Sequence, residues 1–294
     1  MNSKVNVLCF GEVLWDNLPT GPVPGGAPMN VAYHLNRFGI EALTASSIGN
    51  DEKGKNLVSF IRNCGMETRL IQVHPTLPTS EVKVWLDEKN NASFEICEPV
   101  AWDEITFTPE LKKAAETCSA IVYGSLASRN ESTRNTLYSL LENNLLKIMD
   151  VNLRAPFNQR EVIEPLLKRS DIVKLNDSEL AEIGKWYGFT GELKEVALML
   201  TNHFSLKALL ITRGENGACI VKEGRYYEHP GFVVQVADTV GSGDAFLAGF
   251  LSAWFRNKSI PEALNDACAI GALVATYSGA TPDYKLDELN VLNN

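Results

Sequence analysis

The sequence of 294 residues holds four histidines and six cysteines, and no two cysteines form a C-x-x-C pair. A structural zinc site or a redox dithiol therefore has no basis in spacing. His34, His74, His203 and His229 lie far apart and read as structural or surface positions. Positive charge is scarce too: 27 Lys plus Arg against 36 Asp plus Glu leave a formal charge of −9. That balance excludes nucleic acid or an anionic membrane as the main partner, because phosphate backbones attract basic faces. A small phosphate ligand stays open, since backbone N–H groups can hold one.

Long apolar runs are missing as well. The uncharged stretch from Ala267 to Pro282 is broken by Gly271 and Gly279, and is too short to span a bilayer. The first apolar run stops at Gly11-Glu12 and makes no signal peptide, so a cytoplasmic location is expected. Three catalytic fingerprints are absent. Gly241-Ser242-Gly243 is followed by Phe246, which breaks G-x-G-x-x-G; Gly21 and Gly26 have P-loop spacing, but Ala27-Pro28 follows. No G-x-S-x-G elbow occurs either. With 45% hydrophobic and 21% charged residues, the composition is that of a folded globular chain.

What is present is an alternation of short apolar runs and amphipathic segments. Strands are expected at 4–10, 43–48, 120–123, 147–151, 172–175 and 208–212, with helices over 30–38, 56–64, 244–256 and 261–277. This β/α order predicts a mostly parallel sheet with helices on both faces. From Ser80 to Cys97 the period changes to two, with a polar turn at 88–92, which predicts an antiparallel hairpin outside the main sheet. A second hairpin is expected around Lys222-Glu223-Gly224. We expect one domain over 1–294, with a small β lid formed mainly by 80–97 and joined by residues near 12–25.

The densest motif is Asp238-Thr239-Val240-Gly241-Ser242-Gly243-Asp244, followed by an apolar run. Its glycines allow a sharp turn, and the helix start behind them offers N–H groups to an anion. Asp244 reads either as a plain helix cap or as a carboxylate that takes a proton from a hydroxyl. Gly25-Gly26-Ala27-Pro28-Met29-Asn30 opens the first helix, as punctuation or as a polyol contact through the Asn30 amide. Asp16, just past the first strand, reads as a turn residue or as an acceptor for sugar hydroxyls. Asp150-Val151-Asn152-Leu153-Arg154 follows one strand, Asn176-Asp177-Ser178-Glu179 another, and Thr212-Arg213-Gly214-Glu215-Asn216-Gly217 a third. Glu179 and Asn176 fit a capping box or a water-mediated Mg²⁺ site.

Together these segments resemble the ribokinase-like (PfkB) carbohydrate kinase family. The resemblance rests on Gly25-Gly26 with Asn30, Gly49 with Asp51 and Gly54, Asn176 with Glu179, Thr212 with Gly214 and Gly217, and the 238–244 motif. Gly124-Ser125-Leu126-Ala127 and Asp150-x-Asn152-x-Arg154 look most like bacterial fructokinases. The resemblance implies a three-layer α/β/α fold with a mostly parallel central sheet and a small β lid, and ATP-dependent phosphorylation of a sugar, with fructose first. It implies Asp244 as general base, Gly241, Ser242 and Gly243 as anion hole, and Asp16, Gly25, Gly26, Asn30 and Arg154 at the sugar. Asn176, Thr212, Gly214 and Gly217 would bind ATP, Glu179 would hold Mg²⁺ through water, and Asp238 and Val240 would hold a monovalent cation such as K⁺. A homodimer through the lid is implied as well. Two departures stand out: 98–103 lacks the basic and Ala-Asp residues usual in fructokinases, and Ser242 replaces the more usual Ala. Alternatives are a related acceptor (ribose, a keto-deoxy sugar acid or a nucleoside) and a non-catalytic sugar- or nucleotide-binding regulator. The acid is disfavoured by the lack of Lys or Arg in 11–36, and the regulator by the presence of Asp244 and Glu179.

Overall fold

The run Val7-Leu8-Cys9-Phe10 is buried on both sides, Val7 and Cys9 in one core and Leu8 and Phe10 in another. A strand covered on both faces reads as a continuous apolar run, and that is how the central layer shows itself. The computed structural model describes residues 5–18, 21–86 and 92–289. Lys4 and most of the turn expected at 88–92 lie outside them.

In chain order the elements are β1 (Asn6–Phe10), β2 (Leu14–Leu18), β3 (Gly21–Gly25), α1 (Ala27–Arg37), β4 (Glu41–Gly49), α2 (Glu52–Asn63), β5 (Ile71–His74), β6 (Ser80–Leu86) and β7 (Ala92–Ile96). Then come α3 (Pro109–Thr117), β8 (Ala120–Gly124), α4 (Glu131–Leu141), β9 (Leu146–Asp150), α5 (Arg160–Leu167), β10 (Ile172–Asn176), α6 (Asp177–Trp186) and α7 (Leu193–His203). The chain continues through β11 (Ala208–Thr212), β12 (Ala218–Lys222), β13 (Arg225–His229), α8 (Ser242–Phe255) and α9 (Ile260–Ala275).

The large sheet runs β13-β12-β11-β10-β9-β8-β1-β4-β5. It is parallel from β5 to β11, and the β12–β13 hairpin completes it antiparallel. Helices α1, α2, α8 and α9 cover one face, and α3 to α7 the other. Consecutive parallel strands leave β1 in both directions, to β4 and to β8, so the strand order reverses between β1 and β8. Open α/β sheets bind ligands at such a crevice. Here Gly11 (φ +147°) leaves no room for a Cβ, which would stand 2.9 Å from Pro28 and 3.3 Å from Ala127.

The second sheet is β3-β2-β6-β7, so the hairpin at 80–97 is half of a four-stranded unit. Strands β2 and β3 carry no strand signal in the sequence, because β3 reads Gly-Pro-Val-Pro-Gly. They form through tertiary pairing, with Leu14 to Asp16 in parallel register against Ser80 to Val82. Among the described residues no helix is long and apolar enough to cross a membrane. All six cysteines are free.

The segment after α9 is tied back onto α1. His34, with no exposed surface, donates from Nε2 to the Ala280 carbonyl at 2.9 Å and accepts at Nδ1 from the Tyr284 hydroxyl at 3.0 Å. Tyr33 donates to the Pro282 carbonyl at 2.7 Å, and Arg37 pairs with Asp283. Burial holds the His34 imidazole down at about 4, against an ordinary 6.5. A depressed His value contributes stability that is complete above pH 6.5 and is lost as pH falls toward 4. Replacing His34 by Gln should remove a proton-linked loss of up to about 3 kcal/mol. Urea unfolding followed from pH 7 to 4.5 would then show a flatter acid slope than wild type; equal slopes would mean His34 does not carry it.

Candidate active site

Helix α8 begins where the chain turns at Gly241, which has φ +76° and faces Ala280 so closely that a Cβ would lie 2.4 Å from its Cα. Only glycine meets both demands. The first turn of a helix leaves N–H groups without partners. Among the described residues those of Gly241, Gly243 and Asp244 have no backbone acceptor, whereas the N–H of Ser242 donates to Thr239 at 3.3 Å. Of the three residues expected to form an anion hole, Gly241 and Gly243 thus keep free donors. Ser242 instead anchors the turn, its hydroxyl donating to the Gly271 carbonyl at 2.8 Å.

Asp244 is 8% exposed, and its Oδ2 accepts a 2.8 Å hydrogen bond from the Asn30 amide in the first turn of α1. The Asn30 Oδ1 is buried without a partner. Burial, reinforced by the Asp150 carboxylate, lifts Asp244 to about 7, while Lys174, the Asn30 bond and Arg154 work the other way. A carboxylate at that value is poised between its two protonation states at neutral pH.

Next to it lies a buried ion pair. The Lys174 ammonium donates to both oxygens of Asp150, at 3.0 and 2.9 Å, and a Cβ on Gly243 would stand 2.9 Å from the same nitrogen. Burial alone would lower the Lys174 value, but Asp150 and Asp244 together raise it. On the far side, Glu179 accepts from the backbone of Leu153 at 2.7 Å and of Asn176 at 2.8 Å, while Asn176 Oδ1 accepts from the Glu179 N–H. This is the capping box the sequence allowed, and each Glu179 oxygen retains a lone pair. Burial shifts Glu179 upward.

Asp16 sits on β2, facing β3. Gly25 makes room for it, since a Cβ there would lie 2.2 Å from Asp16 Oδ2. Gly26 (φ +117°) does the same for the Glu12 carbonyl, 2.4 Å from its missing Cβ. Burial raises Asp16 to about 6, partly offset by the guanidinium of Arg154, which is exposed and donates to the Leu153 carbonyl.

A cleft of about 820 Å³ leads away from Gly243. Thr212, Gly214 and Gly217 line it, together with Gly271, Ala272 and Ala275 of α9. Asn176 does not line it; its side chain caps α6. Asp238 lies at the cleft's turn, where Oδ1 accepts from Val240 N at 3.0 Å and Oδ2 from Gly279 N at 3.1 Å.

The family model for pfkB family carbohydrate kinases matches residues 17–286. The chain belongs to the PfkB family. Among its relatives, the probable fructokinase-6, chloroplastic, of Arabidopsis thaliana is 30% identical over 94% of this chain and 79% of the relative. The fructokinase of Rhizobium leguminosarum bv. trifolii is 29% identical, over 84% of this chain and 78% of that protein. A double-mutant Vibrio cholerae fructokinase, solved with fructose, ADP and potassium ion, superposes with a TM-score of 0.85 at 22% identity, with all of both chains covered.

Within this candidate site of the PfkB chain, two buried groups escaped the sequence reading. Glu12 is 4% exposed, and its Oε2 has no partner. Burial pushes it up to about 7, although the N–H groups of Glu12 and Ala27 favour its charged form. Lys174 is the other, and its signal was visible: a lysine within the apolar strand Ile172-Val173-Lys174-Leu175. Lysines are seldom buried unless paired.

The Asn30–Asp244 bond can be checked directly. In ¹³C spectra of protein labelled at Asp carboxyls, Asp244 should titrate near 7. Asn30→Leu should move that midpoint up by about one unit, the worth of one hydrogen bond to a charged group. A midpoint that stays in place would remove Asn30 from control of the carboxylate.

Proposed function

We propose that this chain transfers the γ-phosphoryl group of ATP to a hydroxyl of fructose, acting as a single kinase domain in the cytoplasm. One observation carries the reading. The Asp244 carboxylate is held at about 7 at the end of the nucleotide-sized cleft, beside the free N–H groups of Gly241 and Gly243 and bonded to an Asn30 whose Oδ1 is unpartnered. A buried acceptor without a partner suits a ligand that brings hydroxyl donors. Asp16, with Gly25 clearing space around it, offers two further acceptors, and Arg154 lies within electrostatic reach of Asp16 and Asp244. The relatives named fructokinase favour fructose among the sugars.

In this reading Asp244 takes the proton as the sugar hydroxyl oxygen forms its bond to the γ-phosphorus. The bond from that phosphorus to the β–γ bridging oxygen breaks, and ADP leaves with the electron pair. The N–H groups of Gly241 and Gly243 hold the charge on the transferring group, and phosphoryl transfer depends mostly on such positioning and charge stabilisation.

Magnesium fits the donor set: Glu179 is a buried carboxylate with a lone pair left on each oxygen, next to Asn176. Among the described residues no group of three or more ligating side chains converges. That suits an ion carried largely by water and nucleotide phosphates, whose charge it neutralises when bound. Asp238, half-buried beside Val240, suits a potassium ion in the same way, and the Vibrio cholerae protein was solved with one. A homodimer through the small sheet is part of the proposal, since β3 and β7 are its open edges.

The test is coupled ADP release from ATP and Mg²⁺ over a panel of sugars and nucleosides. Fructose should give the highest kcat/KM, and Asp244→Asn should lower kcat about 10³-fold while ATP still binds. Turnover retained by Asp244→Asn would take the carboxylate out of the mechanism. Asp16→Ala should raise the KM for fructose about tenfold or more with a smaller change in kcat. An unchanged KM would place the sugar elsewhere.

A further inference from the structure

Three buried carboxylates, Asp150, Asp244 and Glu179, lie within electrostatic reach of one ammonium, that of Lys174. Taken alone they would repel an incoming phosphoryl group. The Lys174 side chain is 10% exposed, and a lysine ammonium has three N–H donors. Asp150 engages it through both oxygens, at 3.0 and 2.9 Å, and among the described residues no other acceptor is bonded to it. One donor is therefore left over. The same nitrogen lies against Gly243, at 2.9 Å from where a Cβ would be, and Gly243 also has a free N–H at the start of α8. Any side chain at 243 would come between the ammonium and the helix start.

We propose that Lys174 is a further catalytic residue, whose spare N–H bonds the transferring phosphoryl group together with the N–H of Gly243. Asp150 is its positioning partner: it anchors the ammonium at the end of β10 and helps keep it charged in a buried place. The assignment rests on the phosphoryl-transfer reading above. It adds a side-chain cation to an anion hole otherwise made of backbone, at the point where negative charge is carried between donor and acceptor. Lys174 takes no proton and forms no bond to phosphorus in this scheme; it stabilises charge from a fixed position.

A purely structural ion pair and a catalytic lysine differ in a double replacement. Lys174→Met leaves Asp150 buried without its partner, so Lys174→Met combined with Asp150→Asn removes both charges at once. If the pair only supports the fold, this double variant regains thermal stability and turnover together. If Lys174 contacts the phosphoryl group, melting temperature and fructose KM stay near wild type while kcat falls about 10²- to 10³-fold, as for loss of an oxyanion donor. Lys174→Arg, which keeps a cation opposite Asp150, should turn over at least tenfold faster than the double variant and covers the case in which the latter fails to fold. A double variant with kcat within threefold of wild type would overturn the assignment, as would an Arg variant that folds but has lost kcat by 10²-fold or more. A wild-type protein that releases no ADP with any sugar or nucleoside would defeat the kinase reading itself, which separates the two failures.

Discussion

The 2.8 Å hydrogen bond between Asn30 and Asp244 joins residues 214 positions apart, and the rest of the site is arranged around it. It requires α1 and α8 to lie side by side on one face of the sheet. It also requires a carboxylate to be buried, which is costly unless something bonds it. Gly249 allows the packing that seats α8, because a Cβ there would be 2.5 Å from Ile270 of α9. The strap from Ala280 to Tyr284 fixes the same geometry from outside, pressing on Gly241 while bonding His34, one turn along α1 from Asn30. Asp244, the Gly241 turn and Asn30 thus share one mechanical frame.

The electrostatics follow from that burial. Asp244, Glu12 and Glu179 are all shifted upward by lost solvation. Lys174 opposes the shift at Asp244 and Glu179, backbone N–H groups bond Glu12 and Glu179, and Arg154 acts on Asp244 and Glu12 from the rim. An acidic protein can present an anion site in this way, because backbone donors and a buried cation act at short range while the net charge of −9 is spread over the whole chain. The overall charge speaks to the partners met at the surface and says little about the cleft.

Much of the fold was legible. The apolar runs that became β1, β8, β9, β10 and β11 are buried strands, and the period-two stretch at 80–97 became the β6–β7 pair. The glycine motifs marked two tight backbone turns, since a positive φ at Gly26 and Gly241 is a local demand. Strands β2 and β3 were not legible, as prolines and glycines dominate β3, and the order comes from pairing of β2 with β6 and of β3 with β2. Residues 176–179 were ambiguous: capping box and metal holder use the same two side chains, and the cap is what the backbone makes visible.

By itself the sequence determined the order of the main-sheet strands and their helices, the turns at Gly25-Gly26 and Gly241-Ser242-Gly243, and, through its motifs, the resemblance to the family. The elements and turns depend on periodicity and on backbone conformations available to single residues, and the family on the resemblance of its motifs. Only the tertiary structure decided that Lys174, Asp150, Glu179 and Asp244 would share one buried space, and that Glu12 would lie near them. They come from four separate segments, at 12, 150, 174–179 and 244, and the local surroundings of each say nothing about the charge it will face. Their interaction exists only once the sheet has set the ends of β1, β9 and β10 beside α8, away from the water that would otherwise screen them.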